Sequence, residues 1–163
     1  LLRSSADKGY DFKILRAVED VNDLQKSKLV EKILAYFGDV HGLTIAVWGL
    51  AFKPRTDDMR EAPAITIIER LLEAGAKVRA YDPEATRTAS RIFGDRITLC
   101  ERSYDALNGA DALAVVTEWN EFREPDFKKI HQTLKAPVVF DGRNIYSPEQ
   151  MRTLGFTYLS IGR

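Results

Sequence analysis

Apolar residues at Ile14, Leu15, Val18, Val21, Leu24, Val30, Ile33, Leu34 and Phe37 recur at spacings of three and four, one stripe of a helix over 11–37. Asp11 stands where such a helix takes its N-cap, and Gly38 where its left-handed C′ residue belongs. At 1.5 Å per residue the helix would reach about 40 Å, more than one small domain needs. A bridge between two domains or a contact between two copies explains the excess. The alternative is a break near Ser27, with both pieces packed on one domain.

After Asp39 the period changes. Short β-rich runs appear at Thr44–Trp48, Lys77–Tyr81, Ile97–Leu99, Ala112–Val116, Val138–Phe140 and Thr157–Leu159, separated by helical stretches at Ala62–Ala74, Glu84–Phe93, Tyr104–Leu107 and Asp126–Leu134. Strands alternating with helices predict right-handed crossovers and an α/β fold, a Rossmann-like parallel six-stranded sheet with helices on both faces, preceded by a long interdomain helix. The first, fourth and fifth runs are almost wholly apolar, as strands covered on both faces are, so these three should be central. The expected order is 3-2-1-4-5-6, with the switch point between the strands ending at Trp48 and Val116. The division that follows is 1–38 for the interdomain or dimerisation helix and 39–163 for the Rossmann-like domain.

Composition narrows the classes of function. The 163 residues suffice for one compact domain, and apolar and charged fractions of 45% and 29% are those of a globular protein. Lys plus Arg balance Asp plus Glu at 24 each, so no net field attracts nucleic acid or an anionic membrane. No apolar run approaches the roughly 20 residues that span a bilayer. The single cysteine, Cys100, excludes an internal disulfide and fits a reducing, cytoplasmic setting. The start at Leu1-Leu2, without an initiator Met, makes further sequence upstream the expectation.

In a doubly wound sheet, ligands lie outside the carboxyl ends of the strands at the switch point. The first strand runs there into Gly49-Leu-Ala-Phe-Lys-Pro-Arg-Thr-Asp-Asp-Met-Arg-Glu61, the fourth into Thr117-Glu-Trp119, and the fifth into Asp141-Gly-Arg-Asn144. Three loops thus carry Lys53, Arg55, Arg60 and Arg143 toward one crevice, with Asp57, Asp58, Glu118 and Asp141 able to orient them. Guanidinium forks and a lysine point charge suit a diphosphate. With one glycine where the dinucleotide turn needs three, and a long charged approach to the next helix, the first loop is not expected to bind NAD by itself. Blander roles stand beside these: Lys53 solvated, Arg60 and Glu61 paired with loop charges, Arg143 and Gly142 serving a turn, Asp82-Pro83 starting a helix, Trp119 lining the crevice rim. Cys100 has no nearby His and is expected to be a packed thiol, and His41 and His131 suggest neither metal nor triad.

The same loops carry a family signature. The run Gly49–Pro63, then Gly75-Ala-Lys-Val-Arg-Ala-Tyr-Asp-Pro83, closely resembles the UDP-glucose/GDP-mannose dehydrogenase family. Thr117-Glu-Trp-Asn-Glu-Phe122, Phe140-Asp-Gly-Arg-Asn144 and Tyr158-Leu-Ser-Ile-Gly-Arg163 look like the branch that oxidises UDP-glucose. Ala17-Val-Glu-Asp-Val-Asn22 is similar to the family's central helix. The resemblance places Phe52, Lys53 and Arg143 on the UDP-sugar and Arg60 on NAD. It implies two NAD-dependent oxidations of a C6 alcohol, UDP-glucose to UDP-glucuronate, through a cysteine thioester. It also implies that the cysteine and the bulk of the NAD site lie upstream of residue 1, that Cys100 is not the nucleophile, and that the chain alone turns over no substrate. A homodimer through the long helix is the expected assembly. A UDP-N-acetylhexosamine or GDP-mannose substrate is the alternative within the family, and a nucleotide-sugar-binding or dimerisation module without chemistry the alternative outside it.

Overall fold

The computed structural model describes residues 13–162, with the side chains of Leu15, Arg16, Glu19 and Asp23 excepted; the Asp11 cap lies outside the described residues. Helix α1 (Lys13–Phe37) is followed by β1 (Thr44–Trp48), α2 (Pro63–Glu73), β2 (Lys77–Tyr81), α3 (Thr86–Phe93), a 3-10 turn (Gly94–Arg96) and β3 (Thr98–Leu99). A second 3-10 segment (Ser103–Leu107), β4 (Ala112–Val115), α4 (Asn120–Arg123), α5 (Phe127–Thr133), β5 (Val138–Asp141), α6 (Pro148–Thr153) and β6 (Thr157–Ser160) complete the chain.

The six strands order as β3-β2-β1-β4-β5-β6, every pair parallel, as the alternating pattern predicts. The register sets Ile45 beside both Val78 and Ala112, and Val115 beside Asp141, so the carboxyl ends of β1, β4 and β5 open on one edge. Right-handed crossovers on either side of β1/β4 send α2 and α3 to one face and α5 and α6 to the other. Helix α1 packs on α2 and β5, and the second 3-10 segment packs on β1, β2 and α5. β4 and β5 are buried at every position and β1 from Ile45 onward, which is why their sequences are apolar runs with no alternation. Trp48 anchors the second 3-10 segment by donating from Nε1 to the Ser103 carbonyl at 2.7 Å, while its ring stacks on Phe122 at 4.9 Å.

The long helix is continuous. Its 25 residues run unbroken through Ser27, about 37 Å at 1.5 Å per residue, which removes the two-piece alternative. Leu29, Val30 and Ile33 are buried in the domain core, whereas Ile14, Val18, Val21 and Leu24 are half or more exposed. One end of the stripe is therefore consumed by the sheet and the other leads away from it.

Several boundaries differ from the sequence expectation, each for a local reason. Tyr104–Leu107 belongs to a 3-10 segment, and α3 begins at Thr86 because Asp82 first caps a turn through Glu84 and Ala85. Helices α4 and α6 were not expected. The second has a legible signal: Ser147 caps it by accepting from the Gln150 amide, with Pro148 at its first position.

Candidate functional site

The loop from Gly49 to Ala62 is shaped by a few contacts. Gly49 has φ +93°, and a Cβ there would lie 2.5 Å from the Thr117 Cβ and 2.6 Å from its backbone nitrogen. The loops after β1 and β4 therefore touch backbone to backbone, and Thr117 Oγ1 donates to the Ala51 carbonyl at 2.7 Å. Farther along, the Phe52 amide donates to the Asp58 carbonyl at 2.9 Å, and buried Met59 pins the segment to the core. Glu61, at φ +58°, accepts from Lys26 of α1 at 2.7 Å, which ties the long helix to this loop.

Asp82, at the end of β2, is 1% exposed and holds the neighbourhood together. Its carboxylate accepts from the amides of Leu50 (2.7 Å), Ala51 (3.0 Å), Glu84 (2.9 Å) and Ala85 (2.8 Å), and from the Trp119 indole at 3.1 Å. This is the place from which a dinucleotide-binding domain reaches the cofactor ribose with an acidic side chain. Here that carboxylate is spent on backbone and indole donors. The preceding turn has a single glycine, at Gly49, where a dinucleotide turn has three. Part of the sequence reading changes: Asp82 does begin the turn into a helix, but it also locks two loops of the crevice, a role its sequence position did not reveal.

Asp141 plays the matching part at the end of β5. It is fully buried and accepts from the amides of Arg143 (2.8 Å), Ile145 (2.8 Å) and Tyr146 (3.1 Å) and from the Tyr158 hydroxyl at 2.8 Å. Gly142 lies in the bend that the Asp141 carboxylate closes through the Arg143 amide, while the positive φ in this loop belongs to Asn144, at +56°. Space is tight at 142: a Cβ would sit 3.0 Å from Leu29 Cδ2 of α1 and 3.1 Å from the Val115 carbonyl oxygen, so a side chain there asks its neighbours to give by a few tenths of an ångström.

Of the residues that sequence reading placed in the site, Phe52 is half exposed and Lys53 is exposed, making no hydrogen bond or ion pair among the described residues. Arg143 forks onto Glu118, Nε to Oε2 and Nη2 to Oε1, the latter at 2.8 Å. Burial pushes the Glu118 carboxyl up, but the Arg143 hydrogen bond, the Glu118 backbone and the charges of Arg143 and Arg123 outweigh it, and it ends below its ordinary value of 4.5. Arg60 is almost fully solvent-exposed and folds back on Asp58 at 2.7 Å, the local pairing its blander reading foresaw. That hydrogen bond, with the Arg60 amide and the charges of Arg60 and Lys53, brings Asp58 down to about 2.

The loops converge as expected, but the four cations do not act as one cluster. Lys53 and Arg60 make no polar contact with the Glu118–Arg143 pair. Arg55, at φ +66°, lies instead in a cleft with Arg87 and Arg91 of α3 and with Trp119. The α3 arginines were not singled out from sequence; their i,i+4 spacing after β2 was the available signal. Cys100 is buried and its thiol is pushed up, chiefly by desolvation, with Arg79 opposing and Asp105 adding. No cluster of three or more His, Cys, Asp or Glu side chains able to hold a metal occurs among the described residues.

Residues 46–148, more than half of the chain, match the model of the UDP-glucose/GDP-mannose dehydrogenase family, UDP binding domain. The chain is 48% identical over its full length to a UDP-glucose 6-dehydrogenase of Pseudomonas aeruginosa and 44% identical to one of Bacillus subtilis. It spans 37% and 35% of the lengths of these two relatives. Among solved structures, a UDP-glucose dehydrogenase from Pyrobaculum islandicum superposes with a TM-score of 0.78 at 30% identity, over 91% of this chain and 33% of that one. A UDP-D-ManNAc dehydrogenase from Pyrococcus horikoshii gives 0.75 at 26% identity, over 98% of this chain and 36% of that one. Sequence signature, sheet order and these likenesses agree, and the chain belongs to the UDP-glucose/GDP-mannose dehydrogenase family.

Proposed function

We propose that this chain is the nucleotide-sugar-binding C-terminal part of an NAD-dependent UDP-glucose 6-dehydrogenase, which converts UDP-glucose to UDP-glucuronate at the expense of two NAD. The observation that carries the reading is the pair of exposed cationic loops at the carboxyl ends of β1 and β5, Phe52-Lys53 and Arg143, fixed from beneath by Asp82 and Asp141. In this reading Lys53 supplies an uncommitted charge to the diphosphate. Arg143, its fork held by Glu118, supplies directed hydrogen bonds, and Phe52 lays an exposed ring against the ligand.

Arg60, exposed on the loop after β1, is assigned to NAD held by another domain, because that loop lacks the three-glycine turn of a dinucleotide site. The nicotinamide supplies hydride acceptance when bound, and this chain contributes charge and position. Its cysteine does not suit the covalent step, being buried with a thiol shifted away from ionisation. Residues 1–38 are assigned to a helix that bridges domains and joins two copies, and 39–163 to the binding domain, in a cytoplasmic enzyme.

Calorimetric titration of the chain with UDP-glucose and UDP tests the binding assignment, and steady-state kinetics at the full length of the relatives tests its consequence. Loss of UDP-glucose binding in Lys53→Ala and Arg143→Ala, with the fold intact, is the expected outcome. Affinity near that of the unaltered protein in both variants would remove the assignment. A preference for UDP-N-acetylhexosamine or GDP-mannose would move the substrate within the family.

A further inference from the structure

Between the loop after β1 and helix α3 lies a cleft of about 740 Å³, lined by Arg55, Arg87 and Arg91, by Asp57 and Glu84, and by Trp119. We propose that this cleft binds a nucleotide, in addition to the UDP-sugar assigned to Phe52, Lys53 and Arg143.

Three observations support it. The first is electrostatic: none of the three arginine side chains makes a hydrogen bond or ion pair among the described residues, whereas those of Arg60 and Arg143, in neighbouring loops, are both paired. Arg87 and Arg91 sit four apart on one face of an eight-residue helix, where like charges repel. A phosphate between them would remove that repulsion and take two forks at once. The second is position. The cleft lies beyond the carboxyl ends of β1 and β2, where a Rossmann-type sheet holds a ribose with an acidic side chain and a ribose phosphate with a nearby arginine. Asp82 is consumed by backbone amides, but Glu84, two residues on, is exposed and on the cleft wall.

The third observation is the mixture itself. A bare phosphate would gain from the arginines alone and be repelled by Asp57 and Glu84. A nucleotide uses both kinds of group, the phosphate on the guanidiniums and the ribose hydroxyls donating to a carboxylate. The volume is in the range, roughly 300–1,000 Å³, of small-molecule sites. Without the three-glycine turn for a pyrophosphate, a mononucleotide fits the cleft better than a dinucleotide.

The test separates this site from the UDP-sugar assignment by removing the latter's cations first. The Lys53→Ala/Arg143→Ala chain is titrated calorimetrically with UMP, AMP and inorganic phosphate, and the amides of Glu84, Arg87 and Thr88 and the Trp119 indole are followed by NMR. The proposal expects UMP or AMP to bind at least tenfold more tightly than phosphate, with those four signals shifting. Adding Arg87→Gln/Arg91→Gln should weaken binding about tenfold or more, without moving the thermal midpoint, because both side chains are exposed. Binding of phosphate as tightly as of either nucleotide, no nucleotide binding, or binding indifferent to the two glutamines would each overturn it. Failure of the UDP-sugar reading would show separately, as UDP-glucose affinity unaffected by Lys53→Ala and Arg143→Ala.

Discussion

Arg143 and Glu118 clasp each other across the ends of β5 and β4, guanidinium fork to carboxylate, with Nη2 2.8 Å from Oε1. Both are partly exposed, at 38% and 24% of their side-chain surface, so the clasp contributes little to folding and much to aim. Arg143→Ala is expected to weaken UDP-glucose binding by about one to two orders of magnitude while changing stability by less than about 1 kcal/mol. Glu118→Gln should lose a smaller factor, since the cation remains and only its orientation is freed. Calorimetry and thermal unfolding on the two variants read both numbers.

The same pair gives a pH dependence with a definite sign. The folded-state pKa of Glu118 lies below its ordinary value of 4.5, so its contribution to stability is complete above that value and disappears as pH falls through the lower folded value. Asp58, held at about 2 by Arg60, behaves alike over the interval from its ordinary 3.8 down to about 2. Denaturant midpoints taken from pH 6 to pH 2 should therefore fall less steeply for Glu118→Gln/Asp58→Asn than for the unaltered chain.

Leu29 and Gly142 make a second checkable relationship. With an added Cβ 3.0 Å from Leu29 Cδ2 and 3.1 Å from the Val115 carbonyl oxygen, Gly142→Ala requires the Leu29 side chain and the Val115 carbonyl to give by a few tenths of an ångström. The expected cost is about 1–3 kcal/mol of overpacking. In a Leu29→Ala background the added methyl should cost measurably less, which a double-mutant cycle by urea denaturation would reveal. Equal costs in the two backgrounds would put the strain on the carbonyl side alone.

The sheet was largely legible in the amino-acid order because its central strands are buried on both faces, leaving apolar runs at Ile45–Trp48, Ala112–Val115 and Val138–Phe140 that no surface segment would carry. The convergence of the β1, β4 and β5 loops followed from that order. Pairing within them did not, because which carboxylate meets which guanidinium depends on side-chain reach across strands: Arg143 finds Glu118, while Arg60 finds its own neighbour Asp58. Asp82 illustrates the same limit. Its i+2 and i+3 partners, Glu84 and Ala85, are the local pattern of a turn-capping aspartate, but Leu50, Ala51 and Trp119 come from two other strand ends. The cleft of Arg55, Arg87 and Arg91 was likewise hidden by being assembled from two loops and a helix face.

Because the two oxygens of Asp82 accept from five donors in a buried site, Asp82→Asn must present an NH2 group to at least two of them. The expected loss is roughly 2–4 kcal/mol, with the Trp119 indole proton shifting in NMR even where the protein remains folded. Since the loops after β1 and β4 hang on this carboxylate, UDP-glucose binding should fall together with stability, unlike in Arg143→Ala. A variant as stable as the unaltered chain would mean that the five contacts are replaceable by water.

The exposed end of α1 supports the last prediction. Ile14, Val18, Val21 and Leu24 lie at spacings of four, three and three, one face of the helix, with exposures of 80%, 50%, 54% and 62%. The same helix buries Leu29, Val30 and Ile33 against its own sheet, so its apolar content is divided between an internal and an external partner. A face of this kind left in water favours association, and the proposed assignment is to a second copy and to the neighbouring domain. Sedimentation at tens of micromolar should show the chain self-associating. Val18→Glu/Val21→Glu/Leu24→Glu should shift it to monomer, with helix content by circular dichroism nearly unchanged, since glutamate is a good helix former. Unchanged Phe156 and Tyr158 side-chain signals would confirm that the domain core is untouched. A monodisperse monomer from the unaltered chain would restrict the face to contact with the rest of its own polypeptide.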